Sequence, residues 1–160
     1  IYGPGDRRFL KLFKTIYRTT FRMIGSGDVL YHMTYVTDLV EGILLCGEHP
    51  NARGQTYIFG GPRYTTIREL VETVGRVVGK PIRRGHIPIA PVMAAAVACE
   101  WLCKPFHIEP PLYPRRLDFF RKDRAFSIAK AQRELGYQPK VTLEDGLRRT
   151  FEWYQKAGWL

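Results

Sequence analysis

The reading starts from residues 130–154: Lys130-Ala131-Gln132-Arg133-Glu134-Leu135-Gly136-Tyr137-Gln138-Pro139-Lys140-Val141-Thr142-Leu143-Glu144-Asp145-Gly146-Leu147-Arg148-Arg149-Thr150-Phe151-Glu152-Trp153-Tyr154. Ser127 precedes it as a cap for a helix whose apolar positions are Ala131 and Leu135. Gly136 stops that helix and Pro139 forbids its continuation. Thr142 caps a second helix, with Leu143, Leu147, Phe151 and Tyr154 as its apolar stripe.

The chain upstream alternates helix and strand signals. Asp6 caps a helix after a Gly-Pro-Gly turn. Phe9, Leu10, Phe13, Ile16, Tyr17 and Phe21 form one face of it, and Arg7, Arg8, Lys11, Lys14, Arg18 and Arg22 the other. Such a helix lies on its own domain with its cations in water. After the Gly25-Ser26-Gly27-Asp28 turn, residues 29–36 read as a strand. Thr37 or Asp38 caps a helix over residues 39–46, and residues 55–59 read as a short strand. Thr65 or Thr66 opens the next helix, with Glu69 at the capping-box distance from Thr66 and Gly79 as its stop. Residues 81–91 are proline-rich and extended. Residues 92–102 read as a buried apolar helix. Residues 104–116, with Pro105, Pro110, Pro111 and Pro114, read as irregular. There is no repeat and no low-complexity linker, so residues 1–160 read as one α/β domain.

A 160-residue chain that is 45% hydrophobic and 25% charged can bury a core, which excludes a disordered chain. Cys46, Cys99 and Cys103 are too few for a disulfide framework, and a reducing, cytoplasmic setting is expected. Cys99 and Cys103 share a helix face but have no second ligand pair, so no metal site is expected. The apolar run at residues 87–103 falls short of a membrane span. A net charge of +10 suits an acidic partner without identifying one. The chain opens on Ile1 and its first methionine is Met23, so it reads as cut from something longer.

Four segments, in order, resemble the second half of the extended short-chain dehydrogenases, the NAD-dependent epimerase/dehydratase family. They are Tyr2-Gly3-Pro4-Gly5-Asp6; Gly25-Ser26-Gly27-Asp28 followed by Tyr35-Val36-Thr37-Asp38-Leu39-Val40; Tyr57-Ile58-Phe59-Gly60-Gly61 with the helix start at Thr66; and the stretch quoted above. The resemblance implies a Rossmann-type enzyme of which this is the carboxy-terminal, substrate-binding portion. The amino-terminal dinucleotide domain would be absent from this chain. It further implies NAD or NADP as cofactor, bound mainly by that missing domain, with Tyr2, Gly3 and Pro4 beside it. A small-molecule substrate is implied, and the whole protein would form a homodimer through upstream helices. No nucleic-acid partner is expected, and a weak membrane-surface contact is the minor expectation.

The chemistry itself is missing. No Gly-x-Gly-x-x-Gly cradle occurs, and none of the nine tyrosines is followed four residues later by lysine. No catalytic residue can be named, and the chain alone should not turn over. Where the resemblance implies an arginine for a nucleotide-sugar diphosphate, Tyr31 stands, followed by His32. Near the place of a second arginine stand Phe119 and Phe120, with Arg115, Arg116 and Arg121 close by. An aromatic cannot replace a bidentate phosphate ligand, so an uncharged or apolar substrate gains weight, as in the 3β-hydroxysteroid dehydrogenase-like branch. Any of those three arginines could still rebuild a phosphate site. The substrate candidates are Tyr31, His32, Arg115, Phe119 and Arg121. Two rival readings stay open: a non-catalytic sensor on the same fold, and a stand-alone basic module for nucleic acid or a membrane surface.

Overall fold

The computed structural model describes the chain except residues 83–84, 105–107 and 109 and the side chain of Arg116. Pro105, expected in the irregular stretch, and Arg116, a candidate phosphate ligand, therefore lie outside the described residues.

Helix α1 (Arg7–Tyr17) begins at its predicted cap, where the Asp6 carboxylate accepts the Arg8 N–H at 2.8 Å. Phe13 and Ile16 are in the core, while Arg7, Arg8, Lys11 and Arg18 stay exposed. The strands are short. β1 (Met23–Ile24) pairs in parallel with β4 (His86–Ile87), and β2 (Leu30–Tyr31) pairs antiparallel with β3 (Thr65–Thr66).

The strand expected over residues 29–36 is regular only at β2, because its backbone keeps changing partner. Leu30 and Tyr31 face β3 on one edge. On the other edge Arg124 N–H donates to the Leu30 carbonyl (2.8 Å) and His32 N–H to the Arg124 carbonyl (3.0 Å). Gly61 N–H then donates to Met33, Tyr2 N–H to Thr34, and Val36 N–H to Tyr2. Buried backbone groups must find partners, and here they gather segments far apart in sequence.

Helix α2 (Val36–Glu48) starts at Val36 rather than Leu39, and neither Thr37 nor Asp38 caps it. Tyr35 holds the cap position without a side-chain bond. Asp38 turns inward instead, and its Oδ2 accepts the Val141 N–H at 3.1 Å. Residues 55–59 form no ladder among the described residues, against the expected strand. β-formers make a strand only beside a neighbour that completes the hydrogen bonding.

Helix α3 (Ile67–Val78) has both predicted ends: Thr66 Oγ1 accepts the Glu69 N–H at 3.1 Å, and Gly79 closes it with φ 71°. The capping box is only half formed. The Glu69 carboxylate faces Arg63 (3.1 Å) and the Thr65 hydroxyl (2.5 Å) rather than Thr66. Arg63 first, then Thr65, pull the Glu69 carboxyl from 4.5 down to about 2. A lowered carboxylate stabilises the fold above its unfolded value, and that contribution fades as pH falls through the folded value. Solvent screening keeps it small at this exposed pair. Wild type should therefore melt above Glu69→Gln at about pH 6, and the two should converge near about pH 2. A melting difference that does not change with pH would remove Glu69 from the acid response.

Helix α4 (Ile89–Cys103) forms but is not the buried helix expected. Only Ala96 is buried along it, and Trp101 and Leu102 are 79% and 71% exposed. Its composition is apolar all round, so periodicity marks no face for burial. The principal core closes without it, as α3 packs between α1 and the last helix while α4 meets the short helix that follows it. Among the described residues, no helix is long and apolar enough to cross a membrane.

The proline-rich stretch ends in a short helix, α5 (Pro114–Leu117), which Pro114 begins, followed by a 3-10 turn at Asp118–Phe120. Helix α6 (Ala129–Leu135) has Ile128, not Ser127, at the cap position, although the Ser127 hydroxyl accepts the Ala129 N–H at 3.3 Å. Gly136 ends it with φ 67°. Helix α7 (Leu143–Lys156) is capped by Thr142, whose hydroxyl accepts the Asp145 N–H at 3.2 Å. Thr142→Ala should cost about 1 kcal/mol in urea denaturation, and Thr142→Asp should restore most of it. Equal midpoints for all three proteins would show that α7 does not depend on this cap.

The main core joins Phe13 and Ile16 of α1, Leu70 and Val74 of α3, and Leu147, Phe151 and Tyr154 of α7. A second cluster joins Ile128, Ala131 and Tyr137 to Leu45, Tyr57 and Phe59.

Candidate substrate and cofactor site

Tyr31 ends β2, and its side chain meets groups from two later segments. The Phe119 ring lies 4.7 Å away, centroid to centroid. Arg124 donates from Nη1 to the Tyr31 hydroxyl at 2.8 Å and sets its guanidinium 5.7 Å from the ring centroid. Backbone pairing with Leu30 and His32 holds Arg124 at this place. Of the substrate candidates, Tyr31 and Phe119 are thus brought together. Arg115 and Arg121 are exposed, and no described contact joins either to the cluster. Arg124 was missed. Its parallel pairing with Tyr31 spans 93 residues and leaves no local signal.

His32 receives a different task from the substrate contact expected. Its Nδ1 lies 2.9 Å from the Phe126 carbonyl and its Nε2 3.0 Å from the Gly61 carbonyl. A neutral ring donates to one of these, a doubly protonated ring to both. A Cβ on Gly60 would stand 2.5 Å from the ring. His32 therefore stands between the turn after residue 59 and the segment that carries Arg124, each ring nitrogen facing a carbonyl oxygen.

Tyr2 cannot offer its side chain to a cofactor. It is buried against Tyr35 and Phe9, and its N–H and carbonyl are bonded to Thr34 and Val36. Burial, then the neighbouring Tyr35, Asp38 and Asp145, push its phenol up. The same direction holds for Tyr57, for Tyr154 and for Tyr137, which reaches about 12; burial is the first cause in each. A proton-accepting tyrosine needs the opposite shift. A Cβ on Gly3 would approach Val36 Cγ1 to 2.7 Å, so glycine lets the chain cross α2 closely. Of the three cofactor candidates, Gly3 and exposed Pro4 leave only an edge. The described residues supply no cradle for a dinucleotide's phosphates and do not by themselves fit one.

A cavity of about 610 Å³ lies along α3 and the loop before β4. Met23, Arg68, Val71, Arg76, Lys80 and Ile82 are among its walls, and Tyr31, His32, Phe119 and Arg124 are not.

Sequence comparison gives full-length correspondence with one part of larger enzymes. The chain is 29% identical to the decarboxylating sterol-4-alpha-carboxylate 3-dehydrogenase of Saccharomyces cerevisiae, over 98% of this chain and 48% of that protein. It is 28% identical to a 3-beta-hydroxysteroid dehydrogenase of Mycolicibacterium neoaurum, over 96% of this chain and 44% of that protein. The chain is thus similar to part of sterol and 3-beta-hydroxysteroid dehydrogenases. It spans about half the length of the curated relatives it matches. No family model matches it. Among solved structures, gox2253 superposes with a TM-score of 0.75 at 24% identity, over 99% of this chain and 47% of that one. UDP-glucuronic acid 4-epimerase of Bacillus cereus, in complex with UDP-glucuronic acid and NAD, superposes with a TM-score of 0.66 at 22% identity, over 98% and 43%. These superpositions establish a mixed α/β fold matching the carboxy-terminal portion of Rossmann-type enzymes.

Proposed function

We propose that this chain is the substrate-binding lobe of an NAD(P)-dependent oxidoreductase and that it contains none of the catalytic groups. Its substrate is an apolar, sterol-like molecule whose hydroxyl or keto carbon exchanges a hydride with the cofactor. The observation that carries this reading is the Tyr31–Phe119 contact: aromatic rings pack where a nucleotide diphosphate would need arginines. The names of the sterol and steroid dehydrogenase relatives support it.

The lobe docks on a dinucleotide domain. Val40, Ile43 and Leu44 leave an apolar stripe exposed on α2, and residues 55–59 carry β-formers without a ladder. Both are the features a parallel sheet with covering helices would use. Its three cysteines are free, which suits a reducing cytoplasm. The bare apolar surface of α4, ending in Trp101 and Leu102, favours an additional weak contact with a membrane surface.

The test uses the protein from its complete reading frame. With NAD and dehydroepiandrosterone, NADH absorbance should grow; UDP-glucose should be neither oxidised nor converted to its 4-epimer. Turnover of UDP-glucose alone would restore the nucleotide-sugar reading. NAD binding without turnover of either would favour a sensor. Failure to bind NAD, together with salt-sensitive binding to DNA, would favour the basic module.

A further inference from the structure

We infer that the cavity along α3 is a second ligand site, apart from the Tyr31–Phe119 contact, and that it takes an aliphatic phosphate ester. The inference goes beyond the substrate reading above and does not rest on it. The cavity's volume of about 610 Å³ falls within the range of small-molecule sites, about 300–1,000 Å³. Its walls run along α3 from Arg68 to Gly79, about 16 Å of helix. The floor is apolar. Buried Met23 and Val71 border it together with Ile82, which packs so close to α3 that a Cβ on Gly75 would stand 2.9 Å from its Cδ1. No aromatic ring stands among the described walls, so nothing there stacks a nucleobase, and the apolar surface suits an alkyl chain. The rim is cationic. Arg68, Arg76 and Lys80 stand against a single carboxylate among the described walls, Glu72. Arg68 and Arg76 lie 3.5 Å from Asp28 and Glu144, exposed pairs that hold little energy in water. None of the described ion pairs includes Lys80 or Glu72. Excess positive charge beside apolar surface selects an amphiphilic anion, and a phosphate ester brings roughly two negative charges and several acceptor oxygens. Arg68 is the cation that meets it. Arg76 and Lys80 stand by the last turn of α3, where the carbonyl end of the helix repels an anion, whereas Arg68 stands in the first turn.

Isothermal titration of n-hexyl phosphate into the full-length protein tests this, with 1-hexanol and inorganic phosphate as controls. Wild type should bind hexyl phosphate at least about tenfold tighter than either control, the size of one charge-assisted contact. Arg68→Gln should lose that advantage over hexanol, and Arg68→Lys should keep part of it. Arg68 also donates to the Ser26 carbonyl in the turn before β2, so a second variant reads the cavity without touching that turn. Glu72→Gln removes the opposing carboxylate from an exposed position and should tighten hexyl phosphate by about threefold while leaving hexanol unchanged. No binding, binding no tighter than a control, wild-type affinity in Arg68→Gln, or unchanged affinity in Glu72→Gln overturns the inference. So does displacement of hexyl phosphate by dehydroepiandrosterone, because the two would then share one site. Steroid turnover is read separately. Its absence sinks the oxidoreductase reading and leaves the cavity's ligand standing; turnover without hexyl phosphate binding does the reverse.

Discussion

Gly146→Ala should destabilise the protein by about 2 kcal/mol, and Gly146→Val should cost more, because any Cβ there drives into two buried rings. Alanine inside a helix normally gains about 1 kcal/mol over glycine, so the expected sign runs against helix propensity. The reason is where α7 crosses the start of the chain. A Cβ at position 146 would overlap the Tyr2 phenolic oxygen, lie 2.8 Å from Tyr2 Cζ and lie 2.9 Å from Tyr35 Cδ2. Neither ring can retreat easily. Tyr2 and Tyr35 are both buried, and they pack edge to face at 5.5 Å. Urea denaturation checks the magnitude. Removing the offending oxygen offers an internal control: Tyr2→Phe should restore part of the stability lost in Gly146→Ala. An alanine variant as stable as wild type would show that the crossing has slack.

Asp38→Ala should cost about 3 kcal/mol and Asp38→Asn about 1 kcal/mol. Asp38 is 2% exposed and accepts the Val141 N–H. Alanine leaves that N–H without its acceptor and removes a negative charge from the first turn of α2, where the helix dipole favours one. Asparagine keeps an acceptor oxygen in nearly the same place. The bond matters beyond its own energy, since it ties the chain just ahead of the Thr142 cap to α2. Loosening it should disturb the entry of α7 and the Gly146 crossing together. Near-additive costs in Asp38→Asn with Gly146→Ala would argue against that coupling.

These two positions show what the segments that carry the resemblance do in the fold. Tyr2, Tyr35, Asp38, Tyr137 and Gly146 all fall in motifs that carry the family resemblance, and every one of them packs or braces rather than reacts. Tyr137 donates to the Gly60 carbonyl at 2.8 Å, beside the ring of His32. These motif residues serve the packing of this fold. Of the candidate residues, Tyr31 and Phe119 lie in contact, both ring nitrogens of His32 face backbone carbonyls, and Arg124, not among the candidates, donates to the Tyr31 hydroxyl.

By itself the sequence determined what is encoded within a few residues. Asp6, Thr66 and Thr142 cap their helices, Gly79 and Gly136 end theirs in left-handed turns, and α1 buries Phe13 and Ile16 of the face its spacing predicts, though Tyr17 of that face is exposed. A cap reaches only the next turn, and a glycine stop is a property of one backbone position, so neither waits on the rest of the fold. Only the tertiary structure decided the rest. Residues 30–36 exchange one partner after another, Asp38 leaves its helix end for Val141, Arg124 comes to Tyr31, residues 55–59 go without a ladder, and α4 stays bare. Each depends on which distant segment arrives alongside, and the pattern of side chains along one stretch carries no record of that neighbour.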